Sequence, residues 1–153
     1  MPSLPAAIQA LIAKFPLGFV ATVTPEDAPA VSPKGTFVVL DDQTIAFGNI
    51  RSPGTIANLR ANPAVEVNFI DVFARKGARV AGTAKIVPRG DEAFDALWPR
   101  FQAEWGALAD RISDIVVIAV ETAKPVTTPP YDDGVTEDEM IALYKDKFAR
   151  MYP

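Results

Sequence analysis

The amino-acid sequence predicts a mainly β protein, an antiparallel barrel or strongly curled sheet with short helices between or beside its strands. Three observations predict it. Apolar, β-branched runs of strand length recur along the chain, as in "GFVATV", "AVEVNFI" and "DIVVIAV". Most are joined by short turn segments, which suits hairpins. Strands and helices do not alternate regularly, so a doubly wound parallel sheet fits worse.

Each element follows from its residues. Ser3 is placed to cap a first helix whose opening turn holds Pro5, and Ala7, Ile8, Leu11, Ile12 and Phe15 recur at helical spacing. Pro16 and Gly18 stop it. "GFVATV" is the first strand, "TPEDAPA" a turn, and "AVSPKGTFVVL" a strand broken at Pro33-Lys34-Gly35. "DDQ" makes a tight hairpin into "TIAFGN". Ser52 then reads as a helix N-cap with Pro53 at the first helical position, and Asn62-Pro63 ends that helix. "AVEVNFIDVF" and "RVAGTAKIV" form the next hairpin across "ARKGA". "RGDEAFDALWPRFQAEW" is helical and interrupted near Pro99. "DIVVIAVETAKPVTT" is a long strand, apolar throughout its first half. After the "PPYDDG" turn, Thr136 and Glu139 form a capping box for a closing amphipathic helix at about 136–150. Five or six strands dominate.

The 153 residues suit a single domain, 1–153, with a real core. Net charge is -4 with pI about 4.8, and basic residues are spread singly, which argues against nucleic acid as a partner. The chain contains neither cysteine nor histidine. That excludes disulfides, thiol nucleophiles, a Ser-His-Asp triad, Cys/His zinc and haem held by a histidine of this chain. Redox chemistry would therefore have to come from an organic cofactor. The start, "MPSLPAAIQALIAKFPLGFVATV", has no basic segment ahead of its apolar run, so it reads as neither a signal peptide nor a membrane span. A cytoplasmic location and no membrane partner are the resulting expectations.

The most concentrated chemistry lies in "NIRSPGT", Asn49 to Thr55. A helix start exposes unpaired N–H groups and a positive dipole end, a natural seat for an anion. Here Arg51 offers a forked pair of donors, Ser52 and Thr55 offer hydroxyls, and Gly54 permits close backbone approach. Lys34 reaches the same place on the hairpin reading, and the Asn49 amide can meet the edge of a heterocycle. The plainer reading is ordinary Ser-Pro capping beside a solvated arginine. Neither G-x-x-x-x-G-K nor G-x-G-x-x-G occurs. Trp98 and Trp105, with Phe94 and Phe101 at helical spacing, read as core or subunit contact ahead of a stack on a flat ligand. The acids Asp132, Asp133, Glu137, Asp138 and Glu139 read as a turn and a dipole-matched first helical turn, not a metal site. Tyr131 reads as a packed turn residue.

Taken in order, "VSPKG", "IAFGN", "RSPGTIANLRANP" and "VEVNFI…ARVAGTAKIV" resemble the pyridoxamine 5'-phosphate oxidase-like family of FMN-binding split barrels, over roughly residues 5–125. The resemblance implies a six-stranded antiparallel split barrel working as a homodimer, with FMN in clefts at the subunit interface. It implies that Arg51 and Ser52 hold the phosphate, with Thr55 where many relatives place a lysine. Ser32, Pro33, Lys34 and Gly35 would border the flavin and its phosphate, and Phe47, Gly48 and Asn49 would line the isoalloxazine. The implied activity is flavin-dependent oxidoreduction of a small substrate, with no catalytic side chain assigned. The alternative is a non-catalytic protein binding flavin or deazaflavin. The family's oxidases hold pyridoxal phosphate partly with Arg and His near the C-terminus. This chain has no histidine, which separates it from that particular reaction. The family's Ser-Arg-Lys phosphate pattern is also altered, with Pro53, Gly54 and Thr55 in its place.

Overall fold

The computed structural model describes residues 3–153 and contains four helices and one seven-stranded antiparallel sheet. The expected domain begins two residues earlier, at positions outside the described range. Helix α1 (Ala6–Lys14) precedes strands β1 (Gly18–Val23), β2 (Pro29–Lys34), β3 (Phe37–Asp41) and β4 (Thr44–Asn49). Helix α2 (Pro53–Ala61) then leads to the hairpin β5 (Ala64–Asp71) and β6 (Lys76–Pro88). Helix α3 (Glu92–Trp105) and a 3₁₀ segment (Gly106–Arg111) lead to β7 (Asp114–Val126), and α4 (Glu137–Met151) closes the chain.

The strand order is β2-β1-β5-β6-β7-β4-β3. The sheet therefore has seven strands, not the expected six. The extra strand comes from the Pro33-Lys34-Gly35 break, which divides one run into β2 and β3. These two strands are the opposite edges of the sheet, yet only Gly35 and Thr36 separate them. Such a link spans roughly 10 Å at full stretch, so the edges must lie close together. The open sheet is thus curled into a split barrel.

Curling encloses one core and leaves another outside. The inner cluster gathers Ile8 and Ile12 of α1 with Val20, Phe37, Ile45, Phe47, Val67, Phe69, Val80, Val116 and Ile118. Phe37 meets Phe69 edge-on at 4.8 Å and Phe47 at 5.2 Å. The outer cluster packs Phe94 and Phe101 of α3 against Val38, Ala46, Val87, Ile112 and Ile115. Because β7 is covered on both faces here, its first half is continuously apolar. At the bulge between Ala81 and Gly82, a Cβ on Gly82 would lie 2.0 Å from the Ala119 carbonyl oxygen. Only glycine fits that approach.

Trp98 and Trp105 are half-buried against the outer cluster. Trp98 Nε1 donates to the Ala109 carbonyl at 3.2 Å, and Trp105 stacks on Phe101 at 5.9 Å. At the other end of the molecule Tyr131 donates its hydroxyl to the Ala74 carbonyl at 2.5 Å, and Phe148 of α4 meets Phe73 edge-on. The acids at the start of α4 serve its own geometry: Thr136 and Glu139 form the capping box, and Glu137 pairs with Lys76 at 2.7 Å. The first helix departs from expectation. Its N-cap is Pro5, not Ser3, and no side chain caps it. Leu4 is buried and its N–H donates to Asp42 O, so this residue anchors the segment to the β3–β4 hairpin and Ser3 lies outside the helix.

Candidate functional site

Strand alternation decides which residues of β2 face α2. Pro33 and Val31 point outward, opposite Phe19 and Ala21 of β1, while Ser32 and Lys34 point to the other side. The β4–α2 turn brings Ser52 to that side. Lys34 Nζ donates to both Ser32 Oγ and Ser52 Oγ, each at 2.5 Å. The residue is only 6% exposed and makes no salt bridge among the described residues. Burial lowers its pKa below the ordinary lysine value of 10.5, because the charged form loses hydration.

Ser52 occupies the N-cap position of α2, with Pro53 just inside, but its side chain makes no capping hydrogen bond. Its hydroxyl is turned toward Lys34 instead. The first-turn N–H groups of Gly54 and Thr55 therefore gain no cap from it. They border a cleft of about 270 Å³ lined by Ser32, Arg51, Ser52, Gly54, Thr55 and Asn58, with Thr22, Ala30 and Val31. No carboxylate lines it. The Arg51 side chain is exposed at its rim. The donors present, guanidinium, hydroxyls and helix-start amides, match a phosphate monoester. The volume falls below that of a complete small-molecule pocket, so a larger ligand would extend beyond it.

The structure thus brings Ser32, Lys34, Arg51, Ser52 and Thr55 together. The other expected residues lie elsewhere. Phe47 is fully buried in the inner core, so its ring cannot line a cleft. Gly48 is buried against Ile112, where a Cβ would come within 2.5 Å of Cδ1. Asn49 faces a second cleft, of about 410 Å³, on the far side of the Arg51–Ser52 turn. Its Nδ2 donates to Ser113 Oγ at 3.3 Å and Asp114 Oδ2 at 3.2 Å, and its Oδ1 is buried without a partner. Pro33 is exposed on the outer face, and Gly35 borders a shallow hollow beside Leu17, Phe19 and Val72.

Two polar lining residues were not singled out from the sequence. Thr22 lies on the inward face of β1, and Asn58 lies one turn beyond Thr55 on the buried side of α2. Asn58 Nδ2 donates to Thr22 Oγ1 at 3.1 Å. The available signal was a polar residue at an apolar position of each element's period.

The family model described as pyridoxamine 5'-phosphate oxidase matches residues 4–146. Among solved structures, the chain is similar to HupZ of Group A Streptococcus, at 26% identity and a TM-score of 0.70, covering 82% of this chain and 95% of that one. It is similar in fold to an FMN-binding protein from Syntrophomonas wolfei, at 17% identity and a TM-score of 0.67, covering 79% and 84%. It is likewise similar in fold to a structure described as an F420 reductase, at 22% identity and a TM-score of 0.62, covering 79% and 98%. No curated protein matches it.

Proposed function

The chain belongs to the pyridoxamine 5'-phosphate oxidase family, and from that premise we propose that it binds FMN by the phosphate at the Arg51 turn and acts as a flavin-dependent oxidoreductase on a small substrate. One observation carries this reading. A buried lysine with no carboxylate partner among the described residues is joined to an uncapped helix start through the Ser52 hydroxyl and to β2 through the Ser32 hydroxyl, beside an exposed arginine. Such a cluster of donors is satisfied by a multiply charged oxyanion.

FMN, when bound, supplies the electron transfer, and the chain supplies anchoring and orientation. Arg51 forks onto the phosphate from the rim, Ser52 and the Gly54 and Thr55 amides hold it from the helix start, and Ser32 holds it from β2. The ring would have to extend beyond the cleft, and the outer face of β1 and β2 offers an apolar surface for it. Phe19 is 38% exposed there and Val31 69%, and Pro33 lies opposite Phe19. Pro33 and Gly35 therefore belong to the ring's side of the site, while Gly48 and Asn49 shape the turn from behind. Because the Phe47 side chain is buried in the inner core, β4 would meet the ring through its backbone.

The test is titration of purified protein with FMN and riboflavin, followed by NADH or NADPH oxidation with an added acceptor. FMN binding with pyridine-nucleotide turnover supports the enzyme. Binding without turnover supports the second reading, a flavin or deazaflavin binder, which the fold similarity to an F420 reductase favours. Binding of neither flavin nor deazaflavin refutes both.

Members of the family are commonly dimeric, and the exposed Leu17, Phe19, Val31 and Val72 give this chain an apolar outer patch to bury. We expect a homodimer in which this face and the ring are covered together. Light scattering should return twice the chain mass of 16.4 kDa. A monomer that still binds FMN would remove the shared-cleft geometry. Among the described residues no helix is long and apolar enough to cross a membrane.

A further inference from the structure

The orientation of the serine protons is set by chemistry. An ammonium group has three donors and no acceptor. Because Lys34 Nζ donates to Ser32 Oγ and to Ser52 Oγ, both hydroxyls must present lone pairs to it. Their own protons then point away from Lys34. Both serines line the cleft, whereas Lys34 does not. Thr22 repeats the pattern, since its hydroxyl accepts from Asn58 Nδ2 and it also lines the cleft. Nitrogen donors behind the wall thus hold hydroxyls whose protons are free to face inward.

We propose that Lys34 is a positioning residue which does not touch the ligand but locks Ser32 and Ser52 as donors, making the cleft a donor-rich cradle for the fully ionised phosphate monoester. This rests on the phosphate-binding reading above and deepens it. A phosphate monoanion carries its own O–H and needs an acceptor; among the described residues no carboxylate lines the cleft, and only neutral oxygens such as that of the Asn58 amide stand against its many donors. A dianion needs only donors. On this proposal Lys34, expected from the sequence to meet the anion directly, acts through two hydroxyls instead.

A double-mutant cycle tests this, with FMN and inorganic phosphate as separate probes. Lys34→Met keeps length and removes the donor; Ser32→Ala with Ser52→Ala removes the relays. In the otherwise native chain, Lys34→Met should weaken FMN about tenfold or more. In the double-alanine background the same change should cost less than about threefold, because linked residues are non-additive. Riboflavin binding should respond little to either change. Equal losses from Lys34→Met in both backgrounds would show direct action on the anion and overturn the proposal, leaving FMN binding intact. Native protein that binds inorganic phosphate and no flavin would overturn the flavin reading alone, and the cycle would then be scored on phosphate. Thermal melts of each variant separate lost binding from lost folding.

Discussion

Combining Arg51→Ala with Lys34→Met should weaken FMN by about two to four orders of magnitude while leaving riboflavin within a few-fold. The arithmetic is direct. Charge-assisted hydrogen bonds contribute about 1.5–3 kcal/mol each, and each 1.4 kcal/mol is a factor of about ten. On the proposed reading Arg51 meets the phosphate directly and Lys34 acts on it through the Ser32 and Ser52 hydroxyls; riboflavin lacks that phosphate and shares the ring. Equilibrium titration of the two flavins against the same variant measures the difference. Equal losses for both ligands would mean that the donors at this turn hold something other than the phosphate.

The same difference between FMN and riboflavin should vary with pH in a defined sense. It should grow as pH rises through about 6, where a phosphate monoester gains its second charge. It should shrink again at high pH, as Lys34 loses its proton. Burial lowers the Lys34 pKa from 10.5, so this decline should begin below the range of an exposed lysine. A bound dianion favours the charged amine and extends the window upward. A difference that stays flat across the whole range would separate Lys34 from the phosphate.

The largest effect on folding is expected from Phe37→Ala. Phe37 is 2% exposed and touches two other aromatic rings of the inner core. Truncating a buried phenylalanine costs about 3–5 kcal/mol through lost burial and the cavity left behind. In a chain of this size that corresponds to a melting point lowered by roughly 6–20 °C. The position adds to the cost. Phe37 is the first residue of β3, so its ring pins an edge strand where the chain has just crossed from the opposite edge. Calorimetry of the variant and the native protein tests this. A fall of less than about 1 kcal/mol would mean that the inner core closes over the gap.

The strands and helices were legible in the sequence wherever one face alone is buried, because the period then shows in single residues. The alternation in β5 and the capping box of α4 are examples. The strand count was less legible. Whether a Pro-Lys-Gly break is a bulge within one strand or a passage between two edges depends on pairing partners far along the chain. The clustering of donors at the Arg51 turn was legible from its residue types. The orientation of Phe47 was not apparent, since β4 is covered on both faces and its apolar run gives no period to tell one side from the other. Ser52 illustrates the same limit. Its place before Pro53 suggested a cap, but a lysine eighteen residues away claims its hydroxyl. Thr22 and Asn58 came together only through tertiary packing.

The Gly35–Thr36 link also has an evolutionary side. Surface loops usually absorb inserted residues at little thermodynamic expense. This one cannot do so quietly, because slack here would let the two rims of the curled sheet drift apart and carry the neighbouring Lys34 away from Ser52. Lengthening should accumulate instead at a tip such as Asp132–Gly134, none of whose residues lines the cleft, and leave the ligand's grip unchanged.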